Sequence, residues 1–133
     1  YNNQIIENII VSELSGRAIF VNGGGIIKSN FIKKPNSSGI LVYPYEQDLT
    51  IDENHVYSNG TSVYIIDGLN ANVSNNYAVS LNSQAIKEDS SDGTVLTNNI
   101  ECTGSSCDVP DFPGSLLPSA PINIHVNVAN IDS

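Results

Sequence analysis

The sequence contains no Met and no Trp, and only five of its 133 residues are cationic: Arg17, Lys28, Lys33, Lys34 and Lys87. Against 14 carboxylates this leaves a net charge of −9. A chain so poor in cations lacks a basic face to grip phosphates, which argues against nucleic acid and anionic membranes as partners. No apolar run approaches the roughly 20 residues that a membrane-spanning helix needs. Segments with a sustained 3.6-residue apolar stripe are missing too, so helices are not expected. With only His55 and His125 beside two cysteines, a four-ligand zinc site is poorly supported. The chain starts at Tyr1 with no initiator Met, which leads us to expect a processed or trimmed chain.

What is abundant is asparagine, 18 residues of 133. Five of them fall at a regular interval. Ile5-Ile6-Glu7-Asn8, Ile27-Lys28-Ser29-Asn30, Ile51-Asp52-Glu53-Asn54, Val73-Ser74-Asn75-Asn76 and Leu96-Thr97-Asn98-Asn99 align with spacings of 22, 24, 22 and 23 residues. Two positions after each Asn stands Ile10, Ile32, Val56, Ala78 or, where the pattern decays, Glu101. About ten residues further on comes a second alternating stretch, at Ala18–Val21, Ile40–Val42, Val63–Ile66 and Ala85–Ile86. Short period-2 stretches broken by Gly, Asn and Ser read as strands. A repeat of this length with two or three strands is one rung of a solenoid, whose apolar face is buried only by stacking on its neighbours. The dense Leu pattern of a leucine-rich repeat is missing. The recurring Asn suits a tight corner, since it tolerates the left-handed conformation, and stacked Asn amides can bond to one another from rung to rung.

The lines IIENII, IKSNFI, IDENHV, VSNNYA and LTNNIE, each followed by a G-I-x-V-like strand, resemble right-handed parallel β-helix repeats of the pectate-lyase-like superfamily. The resemblance covers about residues 3–110. It implies an all-β fold, the C-terminal portion of a right-handed parallel β-helix with about five rungs over residues 1–110. It also implies a broad class: polysaccharide lyases, glycoside hydrolases, epimerases, tailspikes and adhesins. The Asn-Thr-Asp, Asp-Asp and Gly-His-Gly motifs of polygalacturonases are absent, as are the paired arginines of pectate lyases. Because the repeat begins at once, further rungs N-terminal to it are an expected partner. Residues 111–133 read as a closing segment, Pro-rich at first, with a final strand where Ile122, Ile124, Val126 and Val128 alternate with Asn123, His125 and Asn127.

Candidate chemistry lies on two edges. After the second strand of each rung come Asn22-Gly23-Gly24, Tyr43-Pro44-Tyr45-Glu46-Gln47-Asp48, Asp67-Gly68-Leu69-Asn70 and Glu88-Asp89-Ser90-Ser91-Asp92. Tyr43 and Tyr45 offer flat apolar faces to sugars, and the carboxylates can bond hydroxyls; ordinary solvated turns are the competing reading. Glu46 and Asp67 are the pair to flank a glycosidic bond in a hydrolase. A lyase would draw on Lys33, Lys34, His55 and Tyr57 of the opposite edge. His55 takes the place of Ile9, Phe31, Tyr77 and Ile100 in other rungs, which also suits a packed histidine. No organic cofactor is expected; calcium could be held by Glu46, Asp48, Asp67 and Asp89. Cys102 and Cys107 are either a disulfide closing a short loop or two reduced thiols. Sequons at Asn36, Asn59 and Asn72 fit a glycosylated, secreted or cell-surface chain. Two functions stay open: a secreted enzyme that binds and cleaves an extracellular polysaccharide, or a non-catalytic structural or glycan-binding solenoid.

Overall fold

The computed structural model describes residues 3–34, 36–108 and 131–132. All regular elements among them are strands, and they wind into a parallel solenoid. The first coil is β1 (Asn3–Ile6), β2 (Ile9–Val11) and β3 (Ile19–Asn22). The second is β4 (Gly25–Lys28), β5 (Phe31–Lys34) and β6 (Ile40–Tyr43), and the third is β7 (Leu49–Asp52), β8 (His55–Ser58) and β9 (Val63–Ile66). The fourth is β10 (Asn72–Ser74), β11 (Tyr77–Ser80) and β12 (Ile86–Asp89), and a fifth contributes β13 (Val95–Thr97) and β14 (Ile100–Thr103). A last strand, β15 (Ile131–Asp132), pairs in parallel with β3, at the N-terminal end of the stack. The expected strand around 122–128, with His125, and nearly all of the closing segment lie outside the described residues.

Equivalent strands of successive coils form three parallel sheets: β1-β4-β7-β10-β13 (sheet A), β2-β5-β8-β11-β14 (sheet B) and β15-β3-β6-β9-β12 (sheet C). The register is that of the sequence repeat, with Ile5, Ile27, Ile51, Val73 and Leu96 aligned in sheet A. Inward residues of all three sheets, such as Ile27, Ile32, Ile40, Ile51, Val56 and Ile65, make one continuous core. Burying each such side chain contributes on the order of 1.5–3 kcal/mol. No coil could do this alone, because each inward residue packs against its counterparts in the coils above and below.

The asparagine ladder runs as the repeat predicts. The N–H and Nδ2 of Asn8 both donate to Oδ1 of Asn30, each at 2.9 Å. Asn30 does the same to Asn54, Asn54 to Asn76 and Asn76 to Asn99. The remaining amide hydrogen of Asn30, Asn54, Asn76 and Asn99 goes to the carbonyl oxygens of Ile5, Ile27, Ile51 and Val73. The corner itself differs from expectation. The left-handed residue is not the ladder Asn but the one before it: Glu7, Ser29, Glu53, Asn75 and Asn98, with φ between 54° and 58°. Turning the chain there aims the next side chain into the stack, where Asn30, Asn54 and Asn76 are fully buried. A second tight place is Gly25 (φ 136°), where a Cβ would stand 2.2 Å from the Asn3 carbonyl oxygen. Only glycine lets the backbones of the first two coils approach there.

Candidate functional site

Sheet C turns one residue of each pair outward, and the register stacks those residues into two columns. Phe20, Leu41, Tyr64 and Lys87 form one. In the other, Asn22 aligns with Tyr43, and Ile66 with Asp89. The corners leading from sheet B add Arg17, Ser38, Thr61 and Ser83, which with Leu41, Tyr43, Tyr64 and Ile66 of these columns line an open cleft of about 350 Å³. Its floor is aliphatic and aromatic, from Ile40, Leu41, Tyr43, Tyr64 and Ile66, and its rim is polar. Phe20 meets Tyr43 edge to face at 6.0 Å, and Tyr43 stacks on Tyr45 at 6.3 Å with the planes 28° apart.

Two cations frame this surface. The Arg17 guanidinium lies 5.7 Å from the Phe20 ring centroid, and Lys87 Nζ lies 5.0 Å from that of Tyr64. The Tyr64 hydroxyl donates to an oxygen of Asp89, and Lys87 Nζ is 3.5 Å from that same oxygen. Each group shifts the other's titration. The hydrogen bond to Asp89 raises the Tyr64 phenol above its usual value, while the same bond, with the Lys87 charge, lowers Asp89. The Asp89 carboxylate raises Lys87 in turn. At neutral pH the trio is therefore phenol, carboxylate and ammonium, a fixed array of donors and acceptors beside an aromatic floor.

Of the residues read from sequence, Tyr43 lines this cleft and Tyr45 stacks against it, half-exposed. Glu46 is exposed in the turn closed by Gln47 N–H donating to the Pro44 carbonyl at 3.0 Å. Asp67 is exposed at the corresponding corner of the next coil, in the left-handed conformation (φ 58°). The two corners are tied by Leu69 N–H donating to the Tyr45 carbonyl at 3.2 Å. Lys33, His55 and Tyr57 lie on sheet B instead, with Lys33 and Tyr57 in register and His55 edge to face with Tyr77 at 6.0 Å. Lys34 falls on the inward phase of β5 and is 3% exposed. Its Nζ donates to the Leu14 carbonyl at 2.6 Å, and burial lowers its pKa. That ammonium anchors the loop after β2 rather than facing an outside ligand.

Glu46, Asp48, Asp67 and Asp89 are not brought together: among the described residues no group of three or more His, Cys, Asp or Glu side chains converges on a metal position. Cys102 and Cys107 are joined in a disulfide that closes the loop after β14. Of the sequon asparagines, Asn36 and Asn72 are exposed, whereas Oδ1 of half-buried Asn59 accepts a hydrogen bond from Asn82 Nδ2.

Arg17, Phe20, Tyr64 and Lys87 escaped the sequence reading. Writing out the outward residue of the third strand of each coil (Phe20, Leu41, Tyr64, Lys87) would have revealed the column, because alternation alone sends them all to one face. No curated protein and no solved structure matches this chain. The family described as the right handed beta helix region matches residues 1–109, in keeping with the three-sheet parallel coil, and the chain belongs to that family.

Proposed function

We propose that this chain is the saccharide-binding part of a carbohydrate-active β-helix protein that works outside the cell, and that the ligand lies in the sheet C cleft. The observation carrying this reading is the open cleft lined by Tyr43, Tyr64 and Arg17, whose Tyr64 also holds the Lys87–Asp89 pair. Sugar rings present flat C–H faces that pack on aromatic rings and equatorial hydroxyls that need paired donors and acceptors; the cleft supplies both. The extracellular setting is supported by the Cys102–Cys107 disulfide, since such bonds persist in oxidising compartments. The test is a binding screen of the full chain against a panel of neutral and acidic oligosaccharides, repeated with Tyr64→Ala. Binding that survives the substitution unchanged would place the ligand elsewhere.

Cleavage is a second reading, favoured by the exposure of Glu46 and Asp67 on adjacent, hydrogen-bonded corners beside Tyr45. An acid and a base so placed could flank a bond of a glycan leaving the cleft. Product release from the bound glycan, lost in both Glu46→Gln and Asp67→Asn, is the expected result; turnover unchanged in both removes the assignment.

A further inference from the structure

Resting on the saccharide reading of the sheet C cleft, we infer that its ligand carries one carboxylate, on the sugar at the Arg17 end, and neutral sugars over the rest of the floor. Three of the chain's five cations have acceptors of their own. Lys28 pairs with Asp52 and Glu53, Lys87 pairs with Asp89, and Lys34 is buried on the Leu14 carbonyl. Lys33 lies away from the cleft, on sheet B. Arg17 is exposed and lines the cleft, with no carboxylate in ion-pair contact among the described residues. It is also the one charged side chain among the described residues of the lining, in a chain of net charge −9.

The fold fixes the base of this side chain. The Gly16 carbonyl before it accepts the Ser37 hydroxyl, and the Ala18 N–H after it donates to the Gly39 carbonyl at 2.9 Å. The guanidinium lies over the Phe20 ring, 5.7 Å from its centroid. An aromatic ring attracts a cation without using its N–H groups, so the planar fork stays free. That fork matches a carboxylate through two parallel, charge-assisted hydrogen bonds.

The positive charge does not repeat along the cleft. The lining runs from Arg17 in the first coil to Ser83 in the fourth. With strands about 4.8 Å apart this is about 14 Å, room for about three sugar rings. Beyond Arg17 the floor is Leu41, Tyr43, Tyr64 and Ile66, which suits C–H faces, and the corners present hydroxyls. Lys87, in the fourth coil, is already matched by Asp89. A glycan acidic at every sugar would press unpaired carboxylates against the aliphatic floor, which is costly. A wholly neutral one would leave the Arg17 fork without its best partner. One acidic sugar at the first-coil end satisfies both parts of the surface and sets the direction in which the glycan lies.

The probes are trisaccharides of the cellulose, laminarin and galactan series. Each is used neutral, with a uronic acid at one or the other terminal sugar, and with uronic acids throughout. Isothermal titration of the full chain should find, in a series that binds, one singly acidic form at least tenfold tighter than the neutral and the fully acidic forms. Arg17→Gln should bring that form down to the affinity of the neutral one, and Tyr64→Ala should weaken every form. A neutral or fully acidic form that binds as tightly as the singly acidic ones overturns the inference and leaves the saccharide reading of the cleft in place. An advantage that survives Arg17→Gln overturns it in the same way. Absence of binding by every form, or binding indifferent to Tyr64→Ala, removes the cleft reading and the inference with it.

Discussion

Asn54 is bonded twice to a single atom of Asn76: its N–H and its Nδ2 both donate to Oδ1, at 2.9 and 3.0 Å. Its own Oδ1 accepts the same pair from Asn30, and its second amide hydrogen reaches the Ile27 carbonyl at 2.9 Å. Every polar atom of a fully buried amide is thus matched, which is what makes it tolerable in an apolar stack.

Removing that amide should be costly at the centre of the ladder and cheap at its end. Asn54→Ala strands two donors of Asn30 and the carbonyl of Ile27 away from water, and a loss of about 3–5 kcal/mol is expected. Asn99→Ala strands two donors of Asn76 and the carbonyl of Val73, but Asn99 is itself only half-buried, so water can take its place, and a loss of about 1 kcal/mol is expected. Urea denaturation midpoints of the two variants check the order; equal losses would mean that the ladder is not the stabilising feature.

The coil was legible because its two most demanding columns, the ladder Asn and the inward aliphatics, tolerate few substitutes and so recur in the sequence at a steady interval. The left-handed corner was misplaced by one residue for a physical reason. Asn is favoured both at such corners and in a buried amide ladder, and Asn75-Asn76 and Asn98-Asn99 place it at both. The occupants Glu7, Ser29 and Glu53 carry no such signature. Lys34 misled because a charged residue on an inward phase breaks alternation, and only the position of the Leu14 carbonyl explains it. The cleft was half legible. Tyr43 stood out beside Tyr45, but Phe20, Tyr64 and Lys87 share a column with Leu41 and share no residue type.

The corner residues provide a second prediction. Ser29 holds φ 56°, which costs an L-residue on the order of 1–2 kcal/mol. Glycine removes that strain but loses about 0.5–1 kcal/mol to the greater freedom of its unfolded chain. Ser29→Gly should therefore stabilise by about 0.5 kcal/mol, and Ser29→Val, β-branched and poorly suited to this region, should destabilise by about 1 kcal/mol or more. Thermal unfolding of both variants reads the sign directly.

Acidification should weaken the corner between sheets A and B. Burial of the Asp52 carboxyl pushes its pKa up, but hydrogen bonds from Asn75, Ser74 and Lys28, with the Lys28 charge, outweigh this and hold it below the usual carboxylate value. A group whose pKa is depressed by folding stabilises the fold fully above its unfolded value, about 3.9 for Asp, and loses that contribution as pH falls through the lower folded value. Asp52→Asn should be less stable than the parent near neutral pH, and the gap should close in strong acid. Urea midpoints across that range test this; a gap independent of pH would assign the loss to packing instead.

Tyr64 separates the two things the cleft is asked to do. Its ring lies in the floor, while its hydroxyl ties down Asp89, which in turn sits beside Lys87. Tyr64→Phe keeps the stacking surface and frees Asp89 to pair with Lys87 alone, so oligosaccharide affinity should fall only a few-fold. Tyr64→Ala removes the surface as well, and an aromatic contact of this kind contributes about 0.5–1.5 kcal/mol beyond its buried area, so a loss of about tenfold or more is expected. Tyr57→Ala, on sheet B, should leave affinity unchanged. Isothermal titration of the three variants against the tightest ligand of the panel decides among them: if Tyr57→Ala costs more than Tyr64→Ala, the saccharide lies along sheet B with Lys33, and the sheet C cleft is not its site.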